Sequence, residues 1–272
     1  MKVLNTLNID TALGAVSFVF IASIIRQVEV ETAIYFSLFA SVLFIYNLDH
    51  LIDGYKLKNE NSSYRHLFYQ RHFNLLIGWQ IVLTVFNVWL LLLLPVEVII
   101  AGLVMALFMA LYFFLIFNSS VNSYLLREVV VALGYTIALL IVPFANYQFN
   151  HSLSFYAFSI LVFLIALTNL WVFSLYDLEV DKNQEHHSIS RRVSRLHLIK
   201  LTKFIIVIVI SLVIGYMFYA DWLIGGSLLV VEVVYLLLLL NESKFSNNEL
   251  YRTVGEAILI LPGLIVLTLY AI

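Results

Sequence analysis

What most constrains this chain is a recurring run of apolar residues, each about as long as a bilayer is thick. A helix crosses the hydrocarbon core with roughly 20 mostly apolar residues. Nine windows meet that length, at about 10–27, 31–52, 73–94, 96–117, 123–146, 152–177, 200–220, 221–240 and 249–272. Soluble domains sit nearer half apolar and a quarter charged. Here hydrophobic residues make up 62% of 272 and charged residues 12%, more apolar side chain than a soluble core of this length can hide. The chain is expected to be an all-α integral membrane protein, one membrane domain over residues 1–272. Nothing in its charge suggests a nucleic-acid partner; the lipid bilayer is its surrounding. The absence of cysteine excludes disulfides, thiolate metal sites and cysteine nucleophiles. The first apolar segment runs into "IIRQVEVE" with no small-residue cleavage site, so it reads as a span and not as a signal peptide.

Basic residues set the orientation, because Lys and Arg accumulate on the cytoplasmic side. With the N-terminus inside, 14 of the 15 Lys and Arg fall on the inner side and Arg26 alone on the outer. The expectation is a multi-pass protein of a bacterial cytoplasmic membrane, with its C-terminus outside. Two hydrophilic segments, 54–72 and 178–199, then share the cytoplasmic face.

Both segments follow a span that ends in acids. The first ends "YNLDHLID", placing Asp49 and Asp53 one turn apart on one helix face. The second ends "YDLEVD", with Asp177 and Asp181 at the same spacing. Each acid of the first pair lies 128 residues before its counterpart. Four spans separate the pairs, so the first eight helices read as two parallel four-helix repeats, with one further helix, around a central cavity. Parallel repeats bring corresponding sites side by side. Four carboxylates facing one another repel unless cations lie between them. Hard divalent ions such as Mg²⁺ suit all-oxygen sites and share their shell with substrate phosphates. Arg65, Arg127, Lys182, Arg191 and Arg192 are placed to complete a clamp on a phosphorylated group. Asn47 and Asn169 are further candidates for lining the cavity, Asn169 equally for bonding a neighbouring helix.

With these features the chain resembles the UbiA superfamily of intramembrane prenyltransferases, whose members have nine helices and Asp-rich motifs after the second and sixth. "DLEVDKNQEHHS" looks like the second motif, and "LLREVVVALGY" resembles the basic start of the fifth helix. The resemblance implies a prenyl diphosphate bound through Mg²⁺ by Asp49, Asp53, Asp177 and Asp181, and transfer of the prenyl group to a lipophilic, usually aromatic, acceptor. The first motif departs from the family pattern: Tyr46 stands where its first acid belongs, and Asn47 sits at a different offset. After the second motif, Glu185 and His187 replace the usual glycine and basic residue.

Two other readings stay open, a catalytically weakened homologue that binds a prenyl lipid, and a transporter. Transporters place acids at the midplane on broken helices; here the acids lie at span ends. Glu232 is the exception, deep in the eighth window, where a carboxyl group is costly. Glu256, one turn beyond Arg252, is expected to pair with that arginine. A di-iron oxygenase would need repeated histidine pairs at helical spacing, which the sequence lacks.

Overall fold

The computed structural model describes residues 2–56, 64–118, 124–145, 152–178 and 194–270, and these form helices with no strand among them. A short α1 (Lys2–Thr6) leads into α2 (Ile9–Arg26), α3 (Thr32–Lys56) and a loop helix, α4 (Tyr64–Arg71). Then come α5 (Phe73–Leu91), α6 (Val96–Asn118), α7 (Tyr124–Ala145) and α8 (Leu153–Tyr176). The chain finishes with α9 (Arg195–Tyr219), α10 (Trp222–Leu240), α11 (Glu242–Phe245), α12 (Leu250–Ala257) and α13 (Leu261–Tyr270).

Local chemistry sets several ends. Asn8 and Gln27, both in the left-handed region at φ 59 and 54, turn the chain into and out of α2. Asp221 caps α10, accepting from the backbone N–H groups of Leu223 and Ile224 at 2.8 Å each, as N-cap acids do.

Among the described residues seven helices are long and apolar enough to cross a membrane: α2, α3 as far as Ile52, α5, α8, α9, α10 and the last span, Asn247–Tyr270. Shorter apolar stretches occupy Val96–Tyr112 in α6 and Glu128–Ile141 in α7. The count of nine therefore rests on the sequence windows. The outer surface is what a hydrocarbon solvent selects. Leu75, Ile81, Val85, Val88 and Leu92 are exposed along α5 and its end, as are Phe204 and Phe218 on α9. This is an integral, multi-pass membrane protein.

The order of packing partners repeats along the chain. In the first half α2 packs on α3 and α3 on α5; in the second, α7 packs on α8 and α8 on α9. The leading helices of the two halves, α2 and α7, touch each other, and α13 closes against α2 and α10. The core collects around α2, where Ala12, Ala15, Val19, Ile21 and Ala22 have no exposed surface.

The last span is not one continuous α-helix. A 3₁₀ turn, Ile258–Ile260, separates α12 from α13. Pro262 supplies the cause, since it has no N–H and crowds the carbonyl four residues back. At membrane depth a freed backbone group needs a partner inside the protein, and α2 provides one. Ser17 Oγ accepts from the Gly263 N–H at 2.7 Å and donates to the Ile260 carbonyl at 3.3 Å. Small residues permit the approach: a Cβ on Gly263 would lie 2.4 Å from Ser17 Oγ, and one on Gly14 2.9 Å from Leu259 Cβ.

Gly263→Ala is expected to lower stability by about 1–3 kcal/mol through overpacking and loss of the Ser17 contact. Gly78→Ala, where no atom lies within 4 Å of the added Cβ, should be neutral or stabilising. Unfolding of both variants in detergent micelles checks the contrast.

Candidate functional site: the acidic ends of α3 and α8

The last turns of α3 carry two faces. Tyr46 and Asp49, spaced i and i+3, share one face. On it Tyr46 lies within electrostatic reach of Asp49, Glu256, Arg65 and Tyr112. The other face, with Asn47, His50, Leu51 and Gly54, is buried against α4 and the turn at Leu7 that follows α1.

Asn47 is fully buried. Its Nδ2 donates to the Leu43 carbonyl at 2.7 Å and the Leu7 carbonyl at 3.4 Å, and its Oδ1 accepts from the Tyr69 hydroxyl. Tyr69 also bonds the Thr6 carbonyl at 3.2 Å and the Asn8 amide at 3.4 Å. Burial pushes its phenol above the usual range, so this hydroxyl keeps its proton and stays a donor. Gly54 lets α3 and α4 meet there, because a Cβ would stand 3.2 Å from Tyr69 Cβ.

Arg65, one turn before Tyr69, enters the bundle beside it and is 4% exposed. Its Nη2 donates to Glu256 Oε1 and to the Asn5 carbonyl and Oδ1, all at 3.1 Å, and Nη1 meets His50 Nε2 at 3.1 Å. Asn5 Nδ2 bridges Asp10 and Glu256, 2.7 Å from each, and the Thr11 hydroxyl donates to Glu256 at 3.2 Å. This knot ties α1, α2, α3, α4 and α12 together. Both terminal nitrogens of Arg65 are thus committed to protein groups.

Asp177 closes α8. Its Oδ1 accepts from the Tyr251 hydroxyl at 2.5 Å and its Oδ2 from Arg252 Nη2 at 2.7 Å, while Arg252 Nε donates to the Tyr251 hydroxyl at 3.0 Å. Tyr251 stacks on Tyr176, centroids 4.2 Å apart and planes 2° from parallel, and Phe173 meets it edge-on at 5.7 Å. Asn169 serves a neighbouring helix: its Nδ2 donates to the Tyr235 hydroxyl at 2.9 Å and the Gly255 carbonyl at 3.4 Å.

The expected pairing of Glu256 with Arg252 is corrected. Glu256 bonds Arg65, and Arg252 bonds Asp177. One turn along α12 puts the two charges close, but each reaches a better-aligned partner on another helix. Sequence reading also passed over Asn5, Asp10, His50, Tyr69 and Tyr251. The available signal was the Arg252–Glu256 spacing at the acidic end of the last span. It marked a charged face on α12 without naming its partners.

Glu232 is fully buried on α10 beside the equally buried Thr168, whose hydroxyl is its side-chain neighbour, and among the described residues neither meets a further hydrogen-bond partner. The side chains of Asp53 and Arg127, and residues Asp181, Lys182, Arg191 and Arg192, lie outside the described residues. Among the described residues no three His, Asp or Glu converge as metal ligands. Two of the four acids expected to do so lie outside that set.

Comparison with known proteins bears on the fold. The chain shares its fold with a solved structure of digeranylgeranylglyceryl phosphate synthase, a protein described in membranes. The TM-score is 0.54 at 14% identity, and the likeness covers 96% of each chain. No family model and no curated protein matches the sequence.

Leaving the Arg65 guanidinium uncompensated in a buried knot is expected to cost about 3–5 kcal/mol, so Glu256→Leu should be strongly destabilising. The double variant Arg65→Met/Glu256→Leu should recover most of that loss. Unfolding of the single and double variants measures the coupling, and additive losses would contradict it.

Proposed function

We propose that this protein is a UbiA-like intramembrane prenyltransferase, moving a prenyl group from a prenyl diphosphate to a lipophilic, aromatic acceptor. The observation that supports the reading best is the end-to-end fold likeness to a prenyltransferase in a chain whose α3 and α8 both finish in acids. Asp49, Asp53, Asp177 and Asp181 would hold Mg²⁺. The donor set suits the ion: all ligands are carboxylate oxygens. Among the described residues Asp177 engages one position on each oxygen, out of roughly four in the carboxylate, which leaves it acceptor capacity toward them. Bound Mg²⁺ supplies charge neutralisation for the departing diphosphate.

The remaining work falls to the chain itself. The apolar bundle excludes water from the allylic cation left when the C–O bond breaks, and aromatic faces attract that cation. The acceptor carbon then attacks, forming the new C–C bond, and its proton passes to the departed diphosphate. Arg127, Lys182 and Arg191 are proposed at the diphosphate. Arg65 and Asn47 act by holding α3 and α4 in place, and Asn169 by fixing α8 to Tyr235. The active site is proposed to face the cytoplasm. Tyr46 at the position of the first acid favours a second reading, a homologue that binds prenyl diphosphate without turning it over.

Binding of a non-hydrolysable prenyl diphosphate analogue is expected to require Mg²⁺; equal affinity with and without chelator would count against the metal-bridged site. Asp177→Asn should weaken binding about 10–100-fold and Asp49→Asn less, because the first pair already lacks an acid at Tyr46. Product formation in wild type separates the transferase from the binding homologue.

Orientation has its own test. Cysteines at Asn61 and Ser190 should both react with an impermeant thiol reagent only in inside-out vesicles. Labelling from opposite sides would end the nine-span arrangement.

A further inference from the structure

We infer that Arg252, on the last span, is a contact for the diphosphate group, held ready by Asp177 and Tyr251; the inference rests on the proposed prenyl diphosphate substrate. The guanidinium is a planar fork of five donors. In Arg252 two of its three nitrogens are used: Nε on the Tyr251 hydroxyl at 3.0 Å and Nη2 on Asp177 Oδ2 at 2.7 Å. Nη1 makes no hydrogen bond among the described residues. The side chain is 12% exposed against 5% for Arg65, whose two terminal nitrogens are both occupied.

The holder is rigid. Tyr251 is stacked flat on Tyr176, and the Tyr176 hydroxyl is anchored on the Leu238 carbonyl at 2.6 Å. A Cβ on Gly255, one turn along the same helix, would come within 2.6 Å of Phe173 Cε1, so α12 and α8 are in close contact beneath the pair. Arg252 therefore presents a fixed, charged N–H edge beside the first acid of the second pair. Any oxyanion that bonds Nη1 lies next to Asp177, because both are tied to one planar group. An arginine fork suits phosphate oxygens, and one that is pre-aligned loses little side-chain freedom on binding. The partial access, and a third nitrogen with no partner among the described residues, set Arg252 apart from the structural Arg65.

The test uses full-length protein in nanodiscs with Mg²⁺. It compares affinity for a non-hydrolysable prenyl diphosphate analogue with affinity for the prenyl alcohol of the same chain length. Arg252→Gln is expected to weaken analogue binding about 10–100-fold, the size of a hydrogen bond to a charged group, and to leave alcohol binding near wild type. Arg252→Lys, which keeps the charge on Asp177 and loses the fork, should fall between. It decides the matter if Arg252→Gln does not fold.

An equal loss for analogue and alcohol would make Arg252 structural and overturn the inference, as would an unchanged ratio of the two affinities in Arg252→Lys. A loss seen in anionic-lipid discs but not in phosphatidylcholine discs would assign the contact to a lipid headgroup and also overturn it. Failure of wild type to bind the analogue at all would instead remove the proposed function, and the inference with it.

Discussion

Four alternating charges on and around α12 organise the acidic end of this bundle. Glu256 is held by Arg65 from the loop helix of the first half, and Arg252 holds Asp177 at the end of α8 in the second. Because Arg252 and Glu256 lie one turn apart on one helix, both halves are referred to the same short rod. Buried ion pairs add little net stability, yet losing one partner is expensive. Their effect here is on register. A rotation of α12 by one residue would strand two arginines and two carboxylates at once.

That rod is placed by contacts deep in the membrane. Pro262 breaks the last span, and the 3₁₀ turn before it sets the angle at which α12 leaves α13. Ser17 satisfies the exposed backbone groups from α2, and Gly14 lets α2 come close enough to do so. Packing of small residues in the first span thus governs where charged residues of the last one arrive. Helices in lipid associate through close packing and shared hydrogen bonds because apolar burial alone gives no preference for one another over lipid. The link between Ser17 and Gly263 combines both.

The sequence showed some of this and hid the rest, for identifiable reasons. Apolar windows of bilayer length made a helical membrane protein legible, because in lipid the backbone must satisfy itself within each span. The matched spacing of Asp49 and Asp177 was legible because a repeat leaves its interval in the numbering. Partners were not. Arg65 and Glu256 are 191 residues apart, and the local i, i+4 rule pointed instead to Arg252 with Glu256. That rule describes isolated helices, where no third group competes; a carboxylate on α8 outbid it. The role of α4 was hidden for a similar reason. Its segment reads as polar loop, yet Arg65 and Tyr69, one turn apart, both point inward to groups that only tertiary structure assembles.

Charge balance gives the arrangement its chemical direction. The acidic end gathers Asp10, Asp49, Asp177 and Glu256, against which the described residues set Arg65 and Arg252. The arginines offset Glu256 and Asp177 one for one. On the proposed function, a bare diphosphate approaching the acidic helix ends meets repulsion from their carboxylates and attraction from the Arg252 edge. A divalent cation reverses the first without weakening the second. On the proposed function, cation and anion are therefore thermodynamically coupled, each raising affinity for the other by the same factor.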